Sequence, residues 1–229
     1  MLSFAKENLC LSLFDVGAFM DKTKSSKGKG FKLELHDKNP DAPLSPVYLN
    51  LRTPDHPTKP GPLTPEIIMD IATNLYNLSI EKGLEYDCVA GIPQAGTPIA
   101  KAFAEVFYLN NKSKIPLLEL KKRDQKNREI SIVYDNNFSS GYRVLLIDDL
   151  ITKAGSKFNA IQPIESVGLE VKDVLVLVDR EQGGKAELKE KGYNLHSVFP
   201  FSKLLALYFE KARIGYDLYN EIVEYLATS

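Results

Sequence analysis

Cysteine, tryptophan and net charge are what this sequence has least of. Its 229 residues include two cysteines, three histidines and no tryptophan. Cys10 and Cys88 are too few for a disulfide framework and form no Cys-x-x-Cys pair, so a stapled secreted scaffold and a cysteine-ligated zinc site are excluded. Both are expected as buried apolar residues. Lys and Arg number 29 against 30 Asp and Glu, a net charge of −1. Phosphate-backbone affinity draws on uncompensated cationic charge, so no nucleic acid partner is expected. Nor is any apolar run long enough to span a bilayer. Lys6, Glu7 and Asp15 interrupt the N-terminal segment MLSFAKENLCLSLFDVGAF, unlike the apolar stretch of a secretory signal. The expectation is a cytoplasmic protein with no membrane partner. Two phosphate-binding fingerprints are also missing: there is no GxxxxGK[ST], and no GxGxxG follows a strand. Nucleoside triphosphate hydrolysis and dinucleotide binding lose ground accordingly.

What is present is a chain of ordinary apolar content, 44%, long enough for one domain with a small accessory lobe. Leu2 to Phe19 has helical spacing and is expected to end near Gly17. The run DKTKSSKGKG reads as a mobile loop. Pro40, Pro43, Pro46, Pro54, Pro57, Pro60, Pro62 and Pro65, eight of the 13 prolines, forbid a long helix or central strand there. Among them, Ser45 to Arg52 (SPVYLNLR) suits an edge strand. A helix should start with Thr64 as N-cap and Pro65 at its first position. It should bury Ile67, Ile71, Leu75 and Leu78, and stop at Gly83.

Beyond it the pattern alternates. Strands are expected at Asp87–Gly91, Ile115–Leu120, from Arg143 (RVLLID) and from Asp173 (DVLVLVD). Helices are expected at Pro98–Tyr108 and Lys157–Val167, the second kinked or shortened by Pro163. Two amphipathic helices around Gly215 follow. Short apolar runs spaced by helices indicate an α/β fold around a parallel sheet buried on both faces.

In such sheets ligands bind at the carboxyl ends of the strands, and three segments there carry chemistry. Val144 to Ser156 (VLLIDDLITKAGS) ends a strand in Asp148 and Asp149, then places Thr152 and Ser156 at a helix start. Paired carboxylates suit sugar hydroxyls or a metal, while hydroxyls and open amides at a helix N-terminus suit a phosphate; together they describe a sugar-phosphate site. An Asp pair serving only as caps is the alternative. Gly91 to Ala100 (GIPQAGTPIA) turns tightly enough to aim main-chain amides at an anion, as an unliganded turn also would. Asp179 to Lys185 (DREQGGK) puts Arg180 at the end of a buried strand, where its fork calls for a carboxylate or phosphate. An ion pair with Asp179 or Glu181 would serve equally.

These residues resemble a known family. VLLIDDLIT is similar to the 5-phosphoribosyl 1-pyrophosphate (PRPP) signature of the type I phosphoribosyltransferases. FDVGAF, SPVYLNLR, GIPQAGTPIA, VLVLVDREQGGK and LHSVFPFSKLL resemble, in order and spacing, the orotate phosphoribosyltransferases. The likeness is closest to the transferase half of the bifunctional enzyme that makes uridine monophosphate. The resemblance implies a mostly parallel five-stranded sheet flanked by helices (core about 64–194), with a small hood from about 1–60 and 195–229. A chain of this length is expected to hold the transferase alone.

The implied reaction moves ribosyl phosphate from PRPP to N1 of orotate with Mg2+, giving orotidine 5'-monophosphate and pyrophosphate. Asp148 and Asp149 would hold the ribose hydroxyls, and Leu150, Ile151, Thr152, Lys153, Ala154, Gly155 and Ser156 the rest of the phosphoribosyl group. Gln94 and Ala95 would face pyrophosphate. Arg180 and Thr152 would meet orotate, with Tyr48 and Leu49 lining the base. No protein residue is assigned directly to the metal, which would travel with PRPP. The family's mobile loop corresponds to KRDQKNRE, so Lys122, Arg123, Lys126 and Arg128 are its basic positions and Lys126 joins the two aspartates as catalytic. In the family this loop commonly reaches the partner subunit's site, which implies a homodimer. Arg128 and Glu129 stand where His and Gly are usual, Glu34 where a Lys is usual, with Lys32 or Lys38 nearby, and TKAGS shifts the usual glycine by one. A phosphoribosyltransferase for another base and a non-catalytic PRPP-binding regulator are the alternatives.

Overall fold

The computed structural model describes residues 3–33, 36, 39–122, 130–133 and 138–228. In chain order the elements are α1 (Phe4–Asp15), β1 (Phe19–Asp21), β2 (Val47–Leu49), α2 (Pro65–Glu81), β3 (Cys88–Gly91), α3 (Gly96–Asn111), β4 (Leu117–Leu118), β5 (Leu120–Lys122), β6 (Ile130–Ile132), β7 (Arg143–Ile151), α4 (Gly155–Ser166), β8 (Glu170–Asp179), α5 (Gly184–Glu190), β9 (Asn194–Pro200), α6 (Phe201–Glu210) and α7 (Tyr216–Thr228). They divide into two units, residues 1–63 with 201–229, and residues 64–200.

In the first unit Ser3 caps α1, which packs on α6. The Tyr208 hydroxyl donates to the Cys10 carbonyl at 3.0 Å, and its ring meets Phe14 and Phe19 edge-on. Burial pushes the Cys10 thiol up to about 12, as the expected apolar role requires. The lysine-rich run does not stay a plain loop: Lys22–Lys24 form a 3-10 turn capped by Asp21, and Lys22 pairs with Glu221 at 2.6 Å. Of SPVYLNLR only Val47–Leu49 forms a strand, antiparallel to β1 with Met20 opposite Tyr48.

The second unit is built on one sheet in the order β4-β3-β7-β8-β9, parallel throughout. The chain moves from β3 to β4 in one direction and from β7 through β8 to β9 in the other. Right-handed crossovers therefore put α3 on one face, beside α2, and α4 and α5 on the other. Val144, Leu145, Leu146 and Ile147 are all buried, which is why this strand lacks alternation. The direction reverses between β3 and β7, the switch point at which a crevice opens beyond the strand ends.

Four details depart from the sequence pattern. Helix α2 starts at Pro65 under its Thr64 cap, but Ile68 rather than Ile67 joins Ile71, Leu75 and Leu78 in the core, because the buried face extends toward the side that Ile68 shares with Ala72 and Ser79 and leaves Ile67 at its margin. The segment expected as one strand from Ile115 to Leu120 is split: Leu117–Leu118 pairs with β3, whereas Leu120–Lys122 pairs with β6. Pro163 does not end α4, which continues to Ser166 although the proline removes the donor that would reach the Asn159 carbonyl. Residues 195–200, expected with the hood, form most of β9, because Leu195, Ser197 and Phe199 pair in register with Val174, Val176 and Val178.

Candidate active site

Strands β3, β7 and β8 are neighbours pointing the same way, so their three carboxyl-terminal turns lie side by side. The first runs from Ile92 to Gly96. The Ile92 N–H donates to the Ile147 carbonyl at 2.9 Å, and the Pro93–Gln94 peptide is cis. Gly96 sits so close to β7 that a Cβ there would lie 2.5 Å from the Ile147 carbonyl oxygen and 3.1 Å from Asp148 Oδ1. Glycine is therefore required for the approach, and Gln94 and Ala95, both half-buried, are brought next to the acidic pair.

The second turn contains that pair. Asp148 is 6% exposed; its Oδ1 accepts the Asp149 N–H at 2.9 Å and its Oδ2 accepts the Lys157 ammonium at 2.7 Å. Asp149 Oδ1 accepts the Leu150 N–H at 2.8 Å. Lys157 also donates to the Leu150 carbonyl at 2.6 Å and to Ser156 Oγ at 3.3 Å. Ile151 and Ala154 are buried, Thr152 and Ser156 half-buried, Lys153 and Gly155 exposed.

The third turn is tied to the second along the backbone. Arg180 N donates to the Ile151 carbonyl at 2.9 Å and Gly184 N to the Thr152 carbonyl at 3.0 Å. Glu187, on α5, accepts the Ala154 N–H at 2.7 Å. Gly183 takes φ +98° beside the Lys153 ammonium, and a Cβ on Gly184 would collide with Ile151. Arg180 is 2% exposed. Burial raises the Asp179 pKa from its ordinary value, although its Oδ1 accepts the Glu181 N–H at 2.8 Å.

The sequence-chosen residues Gln94, Ala95, Asp148 to Ser156 and Arg180 thus converge on one end of one sheet. Lys122 is exposed at the end of β5, opposite Ile130 of β6. Arg123, Lys126, Arg128 and Glu129 lie outside the described residues, as do Glu34 and Lys38. Tyr48 and Leu49 belong to the first unit. There the Tyr48 hydroxyl accepts from the Arg52 guanidinium and its ring lies 5.5 Å from that of Phe31. Sequence reasoning missed Lys157 and Glu187, which look like solvated helix charges. The only available signal was their position in the first turn of a helix that starts beside a strand end. Among the described residues no group of three or more His, Cys, Asp or Glu could hold a metal ion, and no helix is long and apolar enough to cross a membrane.

A parallel sheet whose switch point carries an acidic pair and a hydroxyl-bearing turn defines a class. The sequence matches the phosphoribosyl transferase domain over residues 63–200, and the chain belongs to that family. Within it, the likeness is to orotate phosphoribosyltransferases. That of Pyrococcus abyssi is 31% identical over 67% of this chain and 78% of its own length. Uridine 5'-monophosphate synthase of Bos taurus is 26% identical over 80% of this chain but 35% of its own length. The solved structure of Leishmania donovani UMP synthase superposes with a TM-score of 0.73 at 27% identity, covering 98% of this chain and 43% of that one. The chain spans about a third of the length of the curated UMP synthases it matches.

Proposed function

We propose that this protein transfers the 5-phosphoribosyl group from PRPP to N1 of orotate, forming orotidine 5'-monophosphate and releasing pyrophosphate. The observation that carries the reading is the joining of Asp148 and Asp149 to the Thr152–Ser156 turn at the switch point of the sheet, with Arg180 on the adjacent strand. Likeness to orotate phosphoribosyltransferases supports the acceptor.

Loss of pyrophosphate leaves positive charge on the ribose ring, so the site must hold anions around the leaving group and carboxylates near the sugar. Asp148 and Asp149 accept the ribose hydroxyls, and the Thr152 and Ser156 hydroxyls with the turn amides bind the 5'-phosphate. The Gln94–Ala95 turn faces pyrophosphate. Arg180, fixed by its buried setting, offers its fork to the orotate carboxylate or ring carbonyl. Lys122, Arg123, Lys126 and Arg128 are the cationic group that closes over PRPP, and the working form is a homodimer.

The donor set fits Mg2+ carried by the substrate. Both Asp148 oxygens already accept protein donors, so the protein offers no cage of its own, whereas Mg2+ favours one or two carboxylates, water and substrate phosphate oxygens. Asp149 would be the protein carboxylate to join such a shell, and the ion would supply charge neutralisation to the departing pyrophosphate.

The test is pyrophosphate release from PRPP and Mg2+ with a panel of bases. Release that requires orotate is expected. No release with any base would refute the enzyme, and release only with other bases would refute the acceptor.

A further inference from the structure

Lys157 stands on the first turn of α4 and is 2% exposed, yet the proposed chemistry gives it no task. A buried ammonium is costly unless its donors are used. Its three contacts match the three donors of an ammonium: Asp148 Oδ2 at 2.7 Å, the Leu150 carbonyl at 2.6 Å and Ser156 Oγ at 3.3 Å. Two of those partners belong to different halves of the sugar-phosphate site. Asp148 is the carboxylate for the ribose, and Ser156 is a hydroxyl for the phosphate.

The geometry points to Lys157 as a positioning residue that couples the ribose half of the site to the phosphate half; the inference rests on the phosphoribosyl reading above. Its first effect is on Asp148. With Oδ1 held by the Asp149 N–H and Oδ2 by Lys157, the carboxylate plane is fixed and its remaining lone pairs have set directions. The second is on Ser156. Because the hydroxyl oxygen accepts from the ammonium, its proton points away from Lys157 and serves as a donor to an anion. The third is charge. A lone buried carboxylate beside the phosphate turn would repel a sugar phosphate, and the ammonium cancels it. An ion pair that merely fastened α4 to β7 would need no contact with Ser156 and would leave the serine's contribution to ligand binding untouched.

The wild type, Lys157→Met, Ser156→Ala and the double variant are titrated calorimetrically with ribose 5-phosphate, and thermal unfolding checks that each is folded. Lys157→Met is expected to weaken binding by about tenfold, the effect of losing one charge-assisted bond. Adding Ser156→Ala should then cost no more than about twofold, because the hydroxyl is no longer aimed once the ammonium is gone. If Lys157→Met does not fold, Asp148→Asn with Lys157→Met replaces it, with no unpaired buried charge, and Ser156→Ala should again add little. Binding by Lys157→Met within about twofold of wild type, or losses that simply add, overturns the coupling role while leaving the phosphoribosyl reading in place. A folded wild type that does not bind ribose 5-phosphate overturns both.

Discussion

Glu187 accepts the backbone N–H of Ala154 at 2.7 Å, so a side chain from the helix after β8 sets the shape of the turn after β7. That carboxylate replaces water at an amide which a helix start would otherwise leave open. Glu187→Ala is expected to lower stability by about 1 kcal/mol and to raise the KM for PRPP several-fold, with the KM for orotate nearly unchanged. Thermal unfolding and initial-rate kinetics check it. Unchanged values in both would mean that the bond does not shape the turn.

Arg180 is the group expected to separate the two substrates. Arg180→Ala should raise the KM for orotate by about 100-fold, the upper range for a charged hydrogen-bonded contact, and that for PRPP by less than about threefold. Steady-state kinetics with each substrate varied reads the difference. Equal losses would assign Arg180 to the structure of the DREQGG turn alone.

Gly96 and Gly155 make a matched pair. A methyl on Gly96 would sit 2.5 Å from the Ile147 carbonyl oxygen, whereas one on Gly155 meets nothing within 4 Å. Gly96→Ala is expected to push the first turn off β7, costing about 2 kcal/mol and most of the turnover. Gly155→Ala should be neutral or stabilising by up to about 1 kcal/mol. Denaturant unfolding of both variants decides; equal stabilities would contradict the close approach.

Asp179 gives a pH dependence of definite sign. Burial raises its folded pKa above the unfolded value, so the folded state holds its proton more tightly, and stability falls as pH rises from the unfolded toward the folded pKa. Above that window the penalty is complete. Asp179→Asn should therefore be more stable than wild type at neutral pH, with the gap closing as pH falls through the raised folded pKa toward the ordinary aspartate value. Unfolding free energies measured from pH 7 down to about pH 3.5 would show it; a gap that widens on acidification would refute the sign.

The sheet was legible because buried strands announce themselves as unbroken apolar runs: RVLLID and VLVLVD needed no partner to be recognised. Their parallel arrangement came from alternation with helices, and the site from what followed each run. What could not be read was pairing across the chain. Lys157 reaches Asp148 only because the first turn of α4 folds back on the strand that precedes it, and Glu187 finds Ala154 33 positions away. Both look like solvent-facing charges until the sheet fixes neighbouring strand ends. Likewise, whether Ile67 or Ile68 is buried depends on how far α2 rotates against its neighbours, a detail that two adjacent isoleucines leave undecided.

The change of winding direction between β3 and β7 leaves three parallel strand ends side by side. Hydrogen-bonded strands lie about 4.8 Å apart, so the turns after β3, β7 and β8 stand at roughly 5 Å intervals across the sheet edge. On the proposed reading these turns receive pyrophosphate, ribose with its phosphate, and base. The sheet then acts as a ruler, with leaving group and acceptor held on opposite sides of the sugar carbon by the spacing of its strands rather than by the reach of any one side chain.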